Sequence, residues 1–206
     1  MRITAIQNRL SLKVGENDAV ENDTDITIAQ RGLMTKERKV SEEEKQFEIL
    51  AIDPGNTQSA AVLYNTKTWA VIQHMLIPNA EMLEYVQCES YDHLALEMIA
   101  CYGMAVGKTV FETVYWIGRF SQMAGGEERG KVTRVYRKDV KMYLCNSMRA
   151  KDGNIRQALI DRYEPTGGGK IPQIGTKAKP GPLYGMAKDR WAALGVAVTF
   201  AETLQS

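Results

Sequence analysis

Phe47-Glu48-Ile49-Leu50-Ala51-Ile52-Asp53-Pro54-Gly55-Asn56-Thr57-Gln58-Ser59 is the stretch that decides the fold. An apolar run ends in an acid, a Pro-Gly turn follows, and a second apolar run, Ala60-Ala61-Val62-Leu63-Tyr64, comes straight back. The pattern predicts a β-hairpin with strands over about 47–53 and 59–65 and Asp53 at the carboxyl end of the first. A carboxylate in that position is costly without a cation or hydrogen-bond donors around it. The Pro-Gly turn brings backbone close and leaves room for a ligand carrying phosphate or metal. Taken alone, the same acid also reads as a turn residue accepting backbone N–H bonds.

Downstream of the hairpin, Trp69-Ala70-Val71-Ile72-Gln73-His74-Met75-Leu76-Ile77 forms a third strand of a meander, and Asn79 caps a helix carrying Met82, Leu83 and Val86. His93-Leu94-Ala95-Leu96-Glu97-Met98-Ile99 is short and almost wholly apolar, as in a strand buried on both faces, and Glu97 is out of place in it. Val106, Val110, Val114, Ile117 and Phe120 recur at helical spacing, and Gly125-Gly126 ends that helix. A strand over 132–136 and helices over 138–145 and 154–163, the latter capped by Asp152, come next. Residues 164–184 make a Gly/Pro/Lys-rich loop too long to be a simple connection. The closing helix, roughly 186–204, is apolar on most sides and carries Asp189 in its first turn. Upstream, residues 1–46 are polar with weak periodicity and read as a flexible or only locally ordered arm; residues 47–206 make the folded domain.

Net charge is +1, but its distribution is uneven. Residues 47–128 hold 3 basic and 10 acidic side chains, whereas residues 129–190 hold 15 basic and 5 acidic. An acidic half able to hold metal thus adjoins a basic half able to hold a polyanion. Cys88, Cys101 and Cys145 are odd in number and widely spaced, which excludes a disulfide framework and a Cys-x-x-Cys knuckle. With only His74 and His93 besides, any metal would be held by carboxylates, which suits Mg²⁺ or Mn²⁺ rather than Zn²⁺. Reduced thiols, no signal segment and no apolar run of membrane length point to a soluble cytosolic protein.

Three acids stand where a core would not want them: Asp53, Glu97 and Asp189, spaced by 44 and 92 residues. If the two strands are neighbours and the last helix packs across them, the acids converge on a site suited to a pair of hard divalent cations. Such a pair activates water and stabilises the leaving oxygen of a phosphodiester displacement. Gly103-Met104-Ala105-Val106-Gly107-Lys108-Thr109 imitates a P-loop, but three residues rather than four separate its glycines. Lys108-Thr109 therefore reads as the first turn of a helix.

The strand ending in Asp53-Pro54-Gly55, the Leu94-Ala95-Leu96-Glu97 strand and Lys188-Asp189-Arg190-Trp191-Ala192-Ala193-Leu194-Gly195-Val196-Ala197 on the final helix resemble the RNase H-like superfamily. Within it they are most similar to RuvC-type Holliday junction resolvases, particularly the short phage versions. The resemblance spans about 47–204 and implies a mixed five-stranded sheet flanked by helices, Mg²⁺-dependent endonuclease chemistry and recognition of branched DNA in recombination or repair. By position, Asp53, Glu97 and Asp189 match the family's catalytic and metal-holding acids. Bacterial relatives commonly carry another acid one turn further along that helix, where this chain has Ala192; the site then either runs on three carboxylates or recruits Glu112 or Asp161.

The basic half then supplies a DNA track through Arg134, Arg137, Lys138, Lys141 and Lys151, with Tyr102 as an aromatic wedge at a junction. The same features also read as a solvated basic surface and a core tyrosine. Two matched cuts in a four-way junction imply a homodimer, and the setting is a bacterial or phage-infected cytosol. Two other functions compete: a branched-DNA-binding module with weakened catalysis, and a phosphate-binding domain like that of actin-type ATPases. The second needs a partner domain that about 160 residues cannot also hold.

Overall fold

The computed structural model describes residues 47–101, 103, 105–126 and 130–203; the arm proposed over 1–46 and the wedge Tyr102 lie outside the described residues. Strands β1 (Glu48–Asp53), β2 (Gln58–Asn65) and β3 (Ala70–Pro78) form the expected meander. Helix α1 (Asn79–Cys88), strand β4 (His93–Met98), helix α2 (Lys108–Met123) and strand β5 (Val132–Tyr136) follow. Helices α3 (Arg137–Cys145), α4 (Asp152–Ile160) and α5 (Arg190–Thr203) complete the order read from the sequence.

The five strands lie in the order β3-β2-β1-β4-β5, a mixed sheet flanked by helices. Strand β1 pairs antiparallel with β2 and parallel with β4. Alternation divides the side chains between two cores. Ile49, Ala51 and Ala95 face α5 through Leu194, Val198 and Phe200, whereas Leu50, Ile52, Leu94 and Leu96 face α1 and α2 through Met82, Ile117 and Phe120. Strands covered on both faces have no polar side, which is why β1 and β4 read as unbroken apolar runs. Helix α5 is buried from Ala193 to Ala201, so its periodicity is blurred by being apolar all round. Each such Leu, Val or Phe contributes roughly 1.5–3 kcal/mol by leaving water.

Three local expectations are corrected. Helix α4 has Lys151 rather than Asp152 at its N-cap, and Asp152 opens the helix itself. Helix α5 starts at Arg190, so Asp189 stands before its first turn, with its carbonyl accepting the Ala193 N–H at 3.1 Å. Asn79 does not cap α1: Pro78 holds the N-cap position, and the Asn79 side chain is engaged elsewhere.

The loop over 164–184 is a built object. Its backbone pairs with itself, Gly168 N–H to Lys179 O at 2.9 Å, Gly181 N–H to Ile174 O at 3.0 Å and Leu183 N–H to Gln173 O at 2.8 Å. Leu183 anchors it in the α5-side core. Gly175, at φ +78°, lies so close to Gly181 and Pro180 that any Cβ would strike backbone. Satisfied backbone explains why so long a loop is ordered. No described helix is long and apolar enough to cross a membrane.

Candidate functional site

Parallel pairing of β1 with β4 runs from Ile49 opposite His93 to Ile52 opposite Leu96, and one step beyond that register lie Asp53 and Glu97. Both share the parity of the residues facing α5, so alternation turns both carboxylates to the same side of the sheet. The loop entering α5 brings Asp189 to that place. Asp53, Glu97 and Asp189 line one cavity of about 260 Å³, together with Arg137, Asp152, Ile155, Lys188, Trp191 and Ala192.

The turn that presents Asp53 is held by polar side chains. Ser59 Oγ donates to Asn79 Oδ1 at 2.6 Å, and Asn79 Nδ2 donates to Gly55 O at 2.9 Å. Gly55 N–H reaches Ser59 Oγ at 3.3 Å, and a side chain at Gly55 would collide with the Gln58 carbonyl. Ser59 and Asn79 are buried, so their mutual bonds also satisfy groups that water does not reach. Nothing local in the sequence marks this role, because the bond spans 20 residues and the asparagine also suits a helix start.

Electrostatically the cavity is an unfavourable place for anions. Burial first, then the Glu97 charge and a hydrogen bond with Glu97, and the Asp189 charge push Asp53 up to about 8; Arg137 opposes them. Burial likewise raises Glu97, against the pull of Arg137. The hydrogen bond between them favours the protonated form of Asp53 and the ionised form of Glu97. Glu97 is buried, and its Oε2 has no hydrogen-bond partner among the described residues. Asp189 is exposed, on the solvent side.

Arg137 is the counter-cation. Its Nη1 lies 3.4 Å from Glu97 Oε1, and its Nη2 donates to Asp152 Oδ1 at 2.5 Å. Burial works against its charge, and Glu97, Asp152 and Asp53 more than offset that, so its affinity for the proton rises. The sequence pattern puts Arg137 on a DNA track; the fold turns it into the acid cavity. Asp152, which the same pattern reads only as a helix cap, joins it there.

Ala192 does line the cavity, but neither proposed substitute does. Glu112 stands beside the Asp53 turn, 3.4 Å from Asn56 Nδ2 and 3.5 Å from Lys108 Nζ. Asp161 accepts from Gln157 on the exposed side of α4. The fourth acid of the cavity is Asp152. Among the described residues no three Asp, Glu, His or Cys side chains are close enough to form one cation's shell. Asp53 and Glu97 make a hydrogen-bonded pair, and Asp189 acts on Asp53 through its charge across the same cavity.

The remaining track residues lie on β5, α3 and the start of α4. Arg134, Lys138 and Lys151 are exposed, and Lys141 is half-buried. Lys138 Nζ sits 5.6 Å from the Tyr136 ring centroid, and the Lys151 N–H donates to Asn154 Oδ1.

Fold and cavity together define an α/β protein with an RNase H-like fold and a carboxylate pair at the carboxyl ends of two parallel strands. The solved structures it resembles are of RuvC. The Thermus thermophilus RuvC structure matches with a TM-score of 0.54 and 15% identity over 77% of this chain and 96% of that one. T. thermophilus RuvC in complex with Holliday junction substrate matches at 0.54 and 15%, over 77% of this chain and 95% of that chain. At that identity the likeness is one of fold: the fold is RuvC-like. No protein-family model and no curated protein sequence matches the chain.

Proposed function

We propose that this protein is a divalent-metal-dependent endonuclease that cuts branched DNA, such as four-way junctions, as a homodimer in the cytosol of a bacterium or a phage-infected host. The observation that carries the reading is the Asp53–Glu97 pair at adjoining strand ends, facing a cavity shared with Asp189, within a RuvC-like fold. Hard carboxylate oxygens, one of them buried and unpartnered on Glu97, suit Mg²⁺ or Mn²⁺. Asp53 and Glu97 would hold the metal, and Asp189, which lines the same cavity from its exposed side, would add a third carboxylate only on moving closer. Bound there, the metal supplies an activated water and charge stabilisation of the leaving oxygen.

The chain's own residues do the rest. A cation held there would displace the proton that burial favours on Asp53. The Ser59–Asn79–Gly55 bonds fix the turn that aims Asp53. Lys138, Lys141 and Lys151, with Arg134, neutralise phosphates without reading bases. A labelled four-way junction incubated with and without Mg²⁺ or Mn²⁺ tests this, alongside Asp53→Asn. Metal-dependent nicks near the branch point, lost in the variant while binding persists, are the expected result. The second reading, a junction binder with weakened catalysis, is favoured by Ala192 at the cavity wall. Tight binding without cleavage in any metal would establish that reading instead.

A further inference from the structure

The cavity holds four acids, Asp53, Glu97, Asp152 and Asp189, and two cations, Arg137 and Lys188. Arg137 does not divide itself evenly. Its fork is short on Asp152, at 2.5 Å, and long on Glu97, at 3.4 Å. The exposures are opposite in sense: the Asp152 side chain is 83% exposed, that of Glu97 only 11%. The guanidinium is therefore anchored at the rim and leans inward onto a buried carboxylate whose second oxygen is unpartnered. Asp152 sits in the first turn of α4, where the helix dipole favours its charge.

We propose that Arg137 is an exchangeable counter-cation: it neutralises Glu97 until a divalent cation takes that carboxylate, and Asp152 then retains the freed guanidinium at the rim. The inference rests on the divalent-metal reading above. A buried carboxylate left without a cation is strongly unfavourable, so a site that must stand ready for metal needs a stand-in. A guanidinium bridging two carboxylates can release one and keep the other, because its two nitrogens bond independently. Asp152 is on this account a positioning residue, acting through Arg137.

The test is Mn²⁺ titration of the full chain without DNA, by calorimetry, for the wild type, Arg137→Gln, Asp152→Asn and the double variant. Removing the competing cation in Arg137→Gln is expected to tighten Mn²⁺ binding about tenfold, the worth of one charge-assisted hydrogen bond. Asp152→Asn, which lets Arg137 settle fully onto Glu97, is expected to weaken it several-fold. The double variant should bind like Arg137→Gln, since Asp152 then has nothing to restrain. If Arg137→Gln fails to fold, Arg137→Lys carries the test: it keeps the charge but replaces the two-nitrogen fork with one nitrogen on a shorter stem, which stays with the near Asp152 rather than reaching Glu97, and it is expected to bind Mn²⁺ more tightly than wild type. Unchanged or weaker binding in Arg137→Gln, or in Arg137→Lys where that variant carries the test, would overturn the proposal and leave the metal reading standing. A double variant weaker than Arg137→Gln would make Asp152 a ligand and overturn its positioning role. Absence of Mn²⁺ binding in every form would overturn the metal reading itself, and the exchange with it.

Discussion

Replacing Asp53 by asparagine should stabilise the metal-free protein, and by an amount that grows with pH. Burial and neighbouring carboxylates raise the Asp53 side chain from 3.8 to about 8. Between those values the folded state keeps a proton that the unfolded state releases, so stability falls as pH rises from about 4 through 8. Linkage over that whole window sets an upper bound of several kcal/mol. Coupling to Glu97 and entry of water reduce it to about 2 kcal/mol near pH 8. The asparagine amide can donate to Glu97 as protonated Asp53 does, so the change removes the ionisation without orphaning its neighbour. For a domain of this size about 2 kcal/mol raises Tm by roughly 4–8 °C. Scanning calorimetry in EDTA at pH 5 and pH 8 reads the difference. A variant that melts at or below the wild-type temperature at pH 8, or gains equally at both pH values, would refute the linkage.

Asn79→Ala leaves the buried Ser59 hydroxyl and the Gly55 carbonyl without their partner, which should cost about 1–3 kcal/mol in urea unfolding. By freeing the Asp53 turn it should also lower cleavage more than junction binding. Gly175→Ala forces a side chain at positive φ against the backbone of Pro180 and Gly181; an expected loss of about 2–4 kcal/mol is checked by thermal melting. Neutralising Lys138, Lys141 and Lys151 together should weaken junction binding uniformly across sequences. It should also flatten the salt dependence by about one log-log unit for each phosphate no longer neutralised. Filter binding between about 50 and 200 mM salt measures both, and an unchanged slope would place those lysines off the track.

Element order and the centre of the sheet are legible in the residues alone. Strands β1 and β4 are apolar on both faces because both faces are covered, and that requirement is written locally, residue by residue. The same runs single out Asp53 and Glu97, since an apolar strand calls for no acid, although Asp53 taken alone also suits a turn. What the residues do not carry are interactions whose partners are far apart in the chain. Asn79 suits a helix cap, yet in the fold it reaches across 24 residues to hold Gly55. Asp152 suits a cap as well, and Arg137 a phosphate; the packing of α3 against β5 and α4 instead sets Arg137 between Glu97 and Asp152. Asp189 is legible as an unusual acid, but its place before α5 depends on how the ordered loop delivers the helix. Periodicity records which face of an element is buried. Which charged groups share that burial is settled only when the elements meet, because a buried charge takes its partner from whatever the tertiary structure sets beside it.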